Sequence, residues 1–433
     1  MRESGRGVRL VKKAVRTFVG EERAFALLAR WAPAVGRSLR VLGKKVKYHI
    51  GPACAGIRRF GTDDHHYFFG YYDLIPADED DSAVLSLQVP ARIVRAGKVP
   101  AKVGYFRAEE PARFHPIGQT RCWCWQQGCR LQWYPARERG GNRLVLYNAE
   151  MDGRPGAVIQ NVDRPSEILR QIRRPLYSVT RDGKIGLSLN FERLGRLRPG
   201  YGYTAFSGTQ SGETKPGRDG IWRVDMESGQ ADLIFSLEDM VRLDPLPSMG
   251  QAVHYVNHIA VNPDDSRFLF FHVWLLDGRR YTRLITLDLD GGRPYALVNE
   301  GHVSHYTWKN SKEILCFSTH RDTGMRYHLY EDQTGKRSVV GEGFLQEDGH
   351  PSFSPDLQLI VTDSYPDEQG YRKLWLFDFQ ENRLEELGRF YSPFYLKGEY
   401  RCDLHPRWNH AGDRIYVDTA HQGLRSLYVV SLK

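Results

Sequence analysis

The chain has 433 residues, of which 41% are apolar and 12% aromatic, enough to bury a large core and in favour of strands. The net charge of +9 is uneven, because residues 1–50 carry 13 Lys and Arg against 3 Glu and leave the other residues at about −1. A near-neutral body excludes a nucleic-acid footprint over the whole surface. We therefore expect no nucleic-acid partner.

Residues 1–55 form a basic extension that is distinct in composition from residues 56–433. Between residues 8 and 47, apolar residues recur at roughly helical spacing among Lys and Arg, and no apolar run reaches the ~18 residues that span a membrane. A secretory signal pattern is also missing. Two interpretations stand: an amphipathic helix on an anionic membrane or a partner, or a solvated basic leader. We expect a cytoplasmic protein, peripheral at the membrane in the first case.

Six cysteines occur in the chain, three of them in "CWCWQQGC", residues 122–129. A chain of this length without a secretory signal is not expected to carry a disulfide framework. The spacing in the cluster fits no zinc pattern, whereas free cysteines pack well as small apolar residues. The sequence favours a structural role for this cluster over metal binding.

A short pattern recurs seven times after residue 55. It consists of a polar starting residue, an aromatic or apolar residue three positions on, a turn with Pro, Asn, Asp or Gly, and a β-branched strand. "HPSFSPDLQLIVTD" and "HPRWNHAGDRIYVD" are the clearest copies. A period near 45 residues with hairpin turns predicts an all-β fold, a seven-bladed β-propeller over residues 56–433. The seven starting residues are Tyr71, Arg130, Arg174, His258, His305, His350 and His405.

The starting residues are expected on the innermost strands, where they would face the central channel from one end. A single histidine of this kind is more often structural, but seven polar groups at one centre favour a binding or catalytic funnel. Arginine binds carboxylate, sulfate or phosphate groups, and histidine acts as acid, base or metal ligand. No glycine-rich phosphate loop occurs, so we expect an acidic polysaccharide or oligosaccharide as partner and no organic cofactor.

The segment "RCDLHP" carries a metal hypothesis. Cys402 and His405 are separated by two residues, and His350 occupies the matching place in the preceding copy. A structural zinc held by these three residues and one carboxylate, Asp363 or Asp348, is chemically sensible. The alternative is a buried cysteine beside two structural histidines.

Several phrases resemble one family: "HYFFGYYDLIP", "QQGCRLQWYP", "NHIAVNPDDSRFLFFHVW", "DGHPSFSPD" and "RCDLHPRW". From about residue 60 onward the chain resembles the seven-bladed propeller lyases that cleave ulvan, and more loosely the propeller oligogalacturonate lyases. The resemblance implies β-elimination at a uronic acid, a structural metal site, and Tyr203 of "GYGY" as acid or base. The predicted funnel itself, rather than the resemblance, supplies His258 and His305 as candidate bases and Arg174 as the group that neutralises the carboxylate.

Two positions depart from the resemblance. Trp125 stands where the ulvan-cleaving relatives are expected to have His, and Val273 where they are expected to have Arg. These departures keep a second interpretation open, a non-catalytic propeller that binds an acidic glycan or acts as a scaffold in surface polysaccharide assembly. A hydrolase needs paired carboxylates, which the starting residues lack. The sequence favours a polysaccharide or oligosaccharide lyase.

Overall fold

The computed structural model describes residues 48–135, 143–206 and 214–433. The predicted helix of the basic extension, residues 8–47, lies outside the described residues. Within the described part, 29 strands are accompanied by two short α-helices, and no described helix is long and apolar enough to cross a membrane. The chain opens with two strands that join sheets formed much later in the sequence, β1 (Tyr48–Ile50) and β2 (Cys54–Arg59).

The following strands assemble into antiparallel groups in chain order. The first group contains β3 (His65–Phe68), β4 (Ala83–Pro90), β5 (Ala101–Arg107) and β6 (Phe114–Thr120). The second contains β7 (Gln132–Trp133), β8 (Leu144–Met151), β9 (Arg154–Asn161) and β10 (Ile168–Ile172). The third contains β11 (Ser178–Val179), β12 (Ile185–Ser188), β13 (Gly220–Asp225) and β14 (Ala231–Ser236).

The fourth group contains β15 (Val253–Val261), β16 (Arg267–Leu276), β17 (Arg279–Asp288) and β18 (Tyr295–Val298). The fifth contains β19 (Val303–Trp308), β20 (Glu313–His320), β21 (Gly324–Glu331) and β22 (Arg337–Val339). The sixth contains β23 (Ser352–Phe353), β24 (Leu359–Asp363), β25 (Tyr371–Asp378) and β26 (Arg383–Tyr391), with β1 added to its outer edge.

The last group closes the molecule. It contains β27 (Arg407–Trp408), β28 (Arg414–Thr419) and β29 (Ser426–Leu432), and β2 supplies its fourth strand by antiparallel pairing with β29. The two ends of the described chain therefore share one sheet, which removes a free edge. Apart from one parallel pair that joins β29 to β3, the described strands form antiparallel groups in chain order, and the predicted all-β propeller architecture is confirmed.

Two short helices lie between strands, both in the long interval between the starting residues Arg174 and His258. Helix α1 (Phe191–Leu197) begins after Asn190, whose side chain accepts a hydrogen bond from the backbone of Arg193. Helix α2 (Leu237–Arg242) begins at a reciprocal capping box between Ser236 and Asp239. Two 3-10 turns complete the helical elements, Pro247–Met249 and Gly398–Tyr400.

The starting residues coincide with irregularities of the innermost strands. The register between β15 and β16 shifts across His258, which has a φ of 53°. Arg130 and His405 also adopt left-handed backbone conformations, with φ values of 56° and 47°. A bulge re-aims the side chain at the irregular position, so it can point out of its sheet and toward the centre of the molecule. Two starting residues, His258 and His305, thus lie at register shifts, and three have a left-handed backbone.

Candidate active site and metal centre

Five of the seven starting residues meet in one buried cluster, which we call the channel cluster: Tyr71, His258, His305, His350 and His405. The ring centre of Tyr71 lies 4.6 Å from that of His258 and 4.8 Å from that of His405. The ring centre of His350 lies 4.1 Å from that of His305 and 4.4 Å from that of His405. Because these residues come from five different groups of strands, including non-neighbouring ones, the cluster must lie where the groups converge.

Arg130 supports this cluster from one layer further out. Its guanidinium lies 4.0 Å from the ring centre of Tyr177 and binds both carboxylate oxygens of Asp73, at 2.9 and 2.8 Å. The Tyr177 hydroxyl in turn lies 3.0 Å from Nδ1 of His258. The charge of Arg130 is therefore matched by Asp73 and fixes Tyr177 against the cluster.

The structure does not bring Arg174 or Tyr203 to the channel cluster. The Arg174 guanidinium stacks 4.1 Å from the ring centre of Trp222. The Tyr203 ring stacks on Phe191 at 4.5 Å, and its hydroxyl accepts a 2.7 Å hydrogen bond from Nδ2 of Asn148. Both residues line a second cavity of about 1080 Å³, which we call the arginine cleft because seven arginines line it. The expectation that all seven starting residues share one centre therefore fails at Arg174.

Two histidines and a carboxylate form a metal-ligand set within the cluster. The candidate ligand atoms of His350, Asp403 and His405 all lie within 4.8 Å of one another. Nδ1 of His350 donates to Asp363 at 2.7 Å, and Nδ1 of His405 donates to the Gly70 carbonyl at 2.8 Å. Since each acceptor can only accept, Nδ1 of each ring carries the proton of that hydrogen bond. Nε2 of each neutral ring therefore keeps its lone pair. Both Nε2 atoms are buried without a hydrogen-bond partner among the described residues, which fits a bound divalent metal.

The protonation states of the set suit metal binding. Burial by itself raises the pKa of Asp403, but Arg401 and Arg372 outweigh it and hold this pKa well below its usual range. Arg401 donates to Oδ2 at 2.6 Å, and Arg372 lies 2.8 Å from Oδ1. Burial, with His350 nearby, lowers the pKa of His405 well below its usual value. The carboxylate is therefore ionised and the imidazole neutral, as ligation requires.

Cys402, predicted as a ligand, is not part of this group. Its side chain packs with Leu396 and Ala420, and burial raises the pKa of its thiol to about 12. Asp403 and His405 therefore face the ligand set, whereas the Cys402 side chain lies in a separate apolar cluster. The Asp-x-His spacing was the signal for Asp403 in the sequence.

The two carboxylates proposed as a fourth ligand hold histidines instead. Asp363 accepts from His350 as described, and Asp348 lies 2.7 Å from Nδ1 of His305 while it also accepts from the Ser304 hydroxyl at 2.6 Å. Nδ1 of His305 therefore carries a proton, and Nε2 keeps a lone pair. Burial lowers the pKa of His305 although Asp348 opposes the shift. A neutral histidine oriented by a carboxylate is the usual geometry of a general base.

His258 has a different environment, because both of its ring nitrogens are engaged. Nδ1 lies 3.0 Å from the Tyr177 hydroxyl and 3.3 Å from Nε2 of Gln127, and Nε2 lies 3.2 Å from the Tyr71 hydroxyl. Burial lowers the pKa of His258 well below its usual value, so the ring is neutral. Its geometry orients the Tyr71 hydroxyl and leaves no free nitrogen to act as a base.

A small cavity, the funnel cavity, opens onto the cluster. Its volume of about 60 Å³ has room for about four water molecules. Tyr71 and His305 line it together with Arg198, Tyr201 and Arg280. Arg198 and Arg280 have no carboxylate partner within 4 Å among the described residues, so their charges face the cavity unmatched. Neither arginine belongs to the repeated pattern, and Arg280 sits in a hairpin, "DGRRYTR", that resembles an ordinary charged turn.

The two departures from the lyase resemblance fall in different environments. Trp125 stacks on Phe68 at 5.5 Å and donates to the Val94 carbonyl at 3.0 Å, in the apolar core. Val273 lines the funnel cavity. It pairs with Thr282, which is two residues from Arg280, so the side chains of Val273 and Arg280 share one face of the hairpin. Arg280 therefore supplies a cation close to the place where an arginine was expected.

Comparisons with known proteins support the fold. No family model and no curated protein matches the sequence. Among solved structures, an oligogalacturonate lyase from Vibrio parahaemolyticus shares 11% sequence identity at a TM-score of 0.60, over 90% of this chain and 97% of that one. An oligogalacturonate lyase in complex with manganese shares 15% identity at a TM-score of 0.62, over 90% and 98% of the two chains. These similarities show a shared propeller fold.

Proposed function

We propose that the protein is a lyase that cleaves a uronic-acid-containing glycan by β-elimination at the funnel cavity. One observation carries the proposal: the channel cluster joins a His–Asp pair of general-base geometry, His305 and Asp348, to a His/Asp metal-ligand set and to two unmatched arginines. The propeller fold shared with two oligogalacturonate lyases supports the same reaction class.

The residues divide the work that β-elimination requires. The proton at C5 of a uronate is weakly acidic, so the adjacent carboxylate must be neutralised, and Arg280 and Arg198 are placed for that purpose. Nε2 of His305 removes the proton, while Asp348 stabilises the imidazolium that forms. The Tyr71 hydroxyl, oriented by His258, gives a proton to the leaving O4 oxygen. Neither Arg174 nor Tyr203 has a chemical step in this proposal.

A divalent metal would be held by His350, Asp403 and His405. Bound there, it would act as a Lewis acid that withdraws charge from the uronate carboxylate. Without a thiolate in the set, the argument for a structural zinc weakens, because nitrogen and oxygen ligands suit several first-row metals. Manganese is the first candidate, since one of the similar lyases was solved in complex with it.

A second candidate function is glycan binding without turnover. Val273 lines the funnel cavity, and the cavity holds only about 60 Å³, so a sugar ring enters only if side chains such as Tyr365 and Arg280 rotate aside. A binding propeller would tolerate these features more easily than an enzyme.

Activity is tested on a panel of uronic-acid polysaccharides and oligosaccharides, with Mn²⁺ or Zn²⁺ added to metal-stripped protein. Elimination creates an unsaturated uronate that absorbs in the ultraviolet, and the product masses add up to the substrate mass without an added water. We expect a metal-dependent rise with at least one substrate. A flat trace over the whole panel, with glycan binding retained, would establish the binding function instead.

A further inference from the structure

The arginine cleft is a cavity that the proposed reaction leaves unused. Its volume of about 1080 Å³ is at the upper end of the ~300–1,000 Å³ typical of small-molecule sites. Seven arginines face three carboxylates in its lining, which leaves a surplus of four positive charges among the described residues. The surplus is local, because the chain beyond residue 50 is nearly neutral.

Most of these guanidinium groups are available to a ligand. Arg193 is bound to the backbone carbonyl groups of His254 and Thr214 and has a structural role. In contrast, Arg154, Arg196 and Arg218 are exposed and make no ion pair within 4 Å with a carboxylate of the described residues. They come from β9, α1 and the segment before β13, so separate elements bring them to one cleft. Such an arrangement binds several anionic groups at once.

Aromatic side chains accompany the arginines. The ring centre of Trp222 lies 4.1 Å from the Arg174 guanidinium, and Tyr400 lines the cleft next to Glu399. Aromatic faces beside arginines bind rigid rings that carry acidic groups, and sugar rings of this kind offer apolar faces for the contact. The combination fits a chain of acidic sugars better than a set of separate small anions.

One segment of the chain lines both cavities. From the last turn of α1 onward, Arg196 and Tyr203 line the arginine cleft, while Arg198 and Tyr201 line the funnel cavity. Arg401 connects the linings of the two cavities. It donates a hydrogen bond to the Tyr201 hydroxyl and follows directly after Glu399 and Tyr400, which line the cleft. Residues two positions apart in one segment therefore line the two cavities.

We propose that the arginine cleft binds the part of an acidic oligosaccharide chain that extends beyond the sugar held at the funnel cavity, an inference that rests on the proposed function. The cleft then makes affinity depend on chain length. The funnel cavity engages the sugar at which elimination takes place, and the cleft engages the carboxylates or sulfates of the sugars that follow it.

Binding is measured by calorimetry with oligogalacturonates and oligoglucuronates from disaccharide to hexasaccharide. The protein is the full chain with His305→Gln, so that the ligands stay intact. Charge reversal of three exposed cleft residues, R154E/R196E/R218E, is compared with reversal of three exposed arginines outside both cavities, R242E/R321E/R383E. Melting temperatures of all variants verify that they fold.

We expect the hexasaccharide to bind more tightly than the disaccharide, and the cleft reversal to weaken hexasaccharide binding by about tenfold or more with little change for the disaccharide. The control reversal should leave both affinities unchanged. Unchanged hexasaccharide binding after cleft reversal would overturn the proposal. So would a single-stranded oligonucleotide of equal charge that binds more tightly than the hexasaccharide and depends on the same arginines.

The two proposals fail separately. Cleft-dependent hexasaccharide binding together with no elimination by the wild-type protein would contradict the lyase function and leave the glycan site in place. Elimination with equal affinity for all chain lengths would contradict the cleft proposal and leave the lyase function in place.

Discussion

The four histidines of the channel cluster differ in one decisive property, the partner of each ring nitrogen. Nδ1 of His350 and of His405 donates to an acceptor, which leaves two Nε2 lone pairs aimed at one point. Nδ1 of His305 is held by a carboxylate beside the funnel cavity, whereas His258 has partners on both nitrogens. The hydrogen-bond partners thus divide four identical side chains among three tasks: two metal ligands, one base and one residue that orients Tyr71.

The ligand assignment predicts a contrast between two residues of one segment. Replacement of His405 by Ala removes one of two imidazole ligands, so Mn²⁺ and Zn²⁺ affinity should fall at least about tenfold. Replacement of Cys402 by Ala should leave metal affinity unchanged, because the thiol packs against Leu396 and Ala420. Calorimetric titration of metal-stripped protein measures both. Equal losses in the two variants would contradict the ligand set.

Gly70 occupies a backbone position that only glycine tolerates. It has a φ of 136°, and an added Cβ would lie 2.9 Å from the carbonyl carbon of Gln127. We expect Gly70→Ala to lower the free energy of unfolding by about 3 kcal/mol. Gly278→Ala is the matched control, because its φ is 74° with no atom within 4 Å, and about 1 kcal/mol is expected. Denaturant unfolding compares the two, and equal losses would show that the close contact with Gln127 is unimportant.

At the scale of elements, an irregular backbone at the innermost strands positions the side chains of the site. A left-handed residue other than glycine costs on the order of 1 kcal/mol, and the fold accepts this cost at Arg130, His258 and His405. The surrounding sheets must stabilise these positions, since each one lies beside paired strands and buried rings. The left-handed backbone positions therefore belong to the site as much as the side chains they direct.

The closing strand β2 gives a prediction at the same scale. A chain that lacks residues 1–59 loses β2 and exposes the edge of β29, along which five residue pairs form. Its melting temperature should fall well below that of a chain lacking only residues 1–47, which keeps β1 and β2. Thermal unfolding followed by circular dichroism compares the two chains. Indistinguishable melting temperatures would show that β2 does not secure the closure.

The repeats explain why the elements were easier to predict than the site. Seven copies of one hairpin pattern identify blades, because turn residues and β-branched strands are local signals. The orientation of a starting residue is not local. Arg174 fits the pattern yet stacks on Trp222, and Arg280 lies outside the pattern yet lines the funnel cavity. Cys402 was preferred to its neighbour Asp403 because residue type alone does not tell which of two adjacent residues faces inward.

For the whole molecule, buried histidines predict a loss of stability in acid. Burial lowers the pKa of His254 and that of His328 from 6.5 to about 4. Between pH 4 and pH 6.5 the unfolded chain therefore binds more protons than the folded chain. The stabilisation from each buried neutral histidine is complete above pH 6.5 and is lost as the pH falls toward 4, on the order of 3 kcal/mol for each.

This acid sensitivity is measured by the denaturation midpoint between pH 7 and pH 4. His328→Gln should show a shallower fall than the wild-type protein, whereas His410→Gln, at an exposed position, should follow the wild type. A wild-type midpoint that stays constant over this range would contradict the assignment of neutral, buried imidazoles.

The propeller itself followed from the sequence because its period, turns and strand pattern are repeated and mutually consistent. The site followed only in part. His305, His350 and His405 were identified by their place in the repeat, whereas Asp403, Arg198 and Arg280 depend on contacts between distant segments. The basic extension before residue 48 remains a sequence-based prediction, with a membrane or partner contact as one of its two interpretations.

The role of His305 as the base is tested most directly by two histidine variants of the same group of strands in the elimination assay. His305→Gln removes the proposed base, and His320→Gln changes a histidine at the end of β20 that lines neither cavity. On the substrate that the wild-type protein cleaves, we expect His305→Gln to lower the turnover rate at least about a hundredfold while metal binding is retained, and His320→Gln to stay close to wild type. Full activity in His305→Gln would contradict the proposed mechanism.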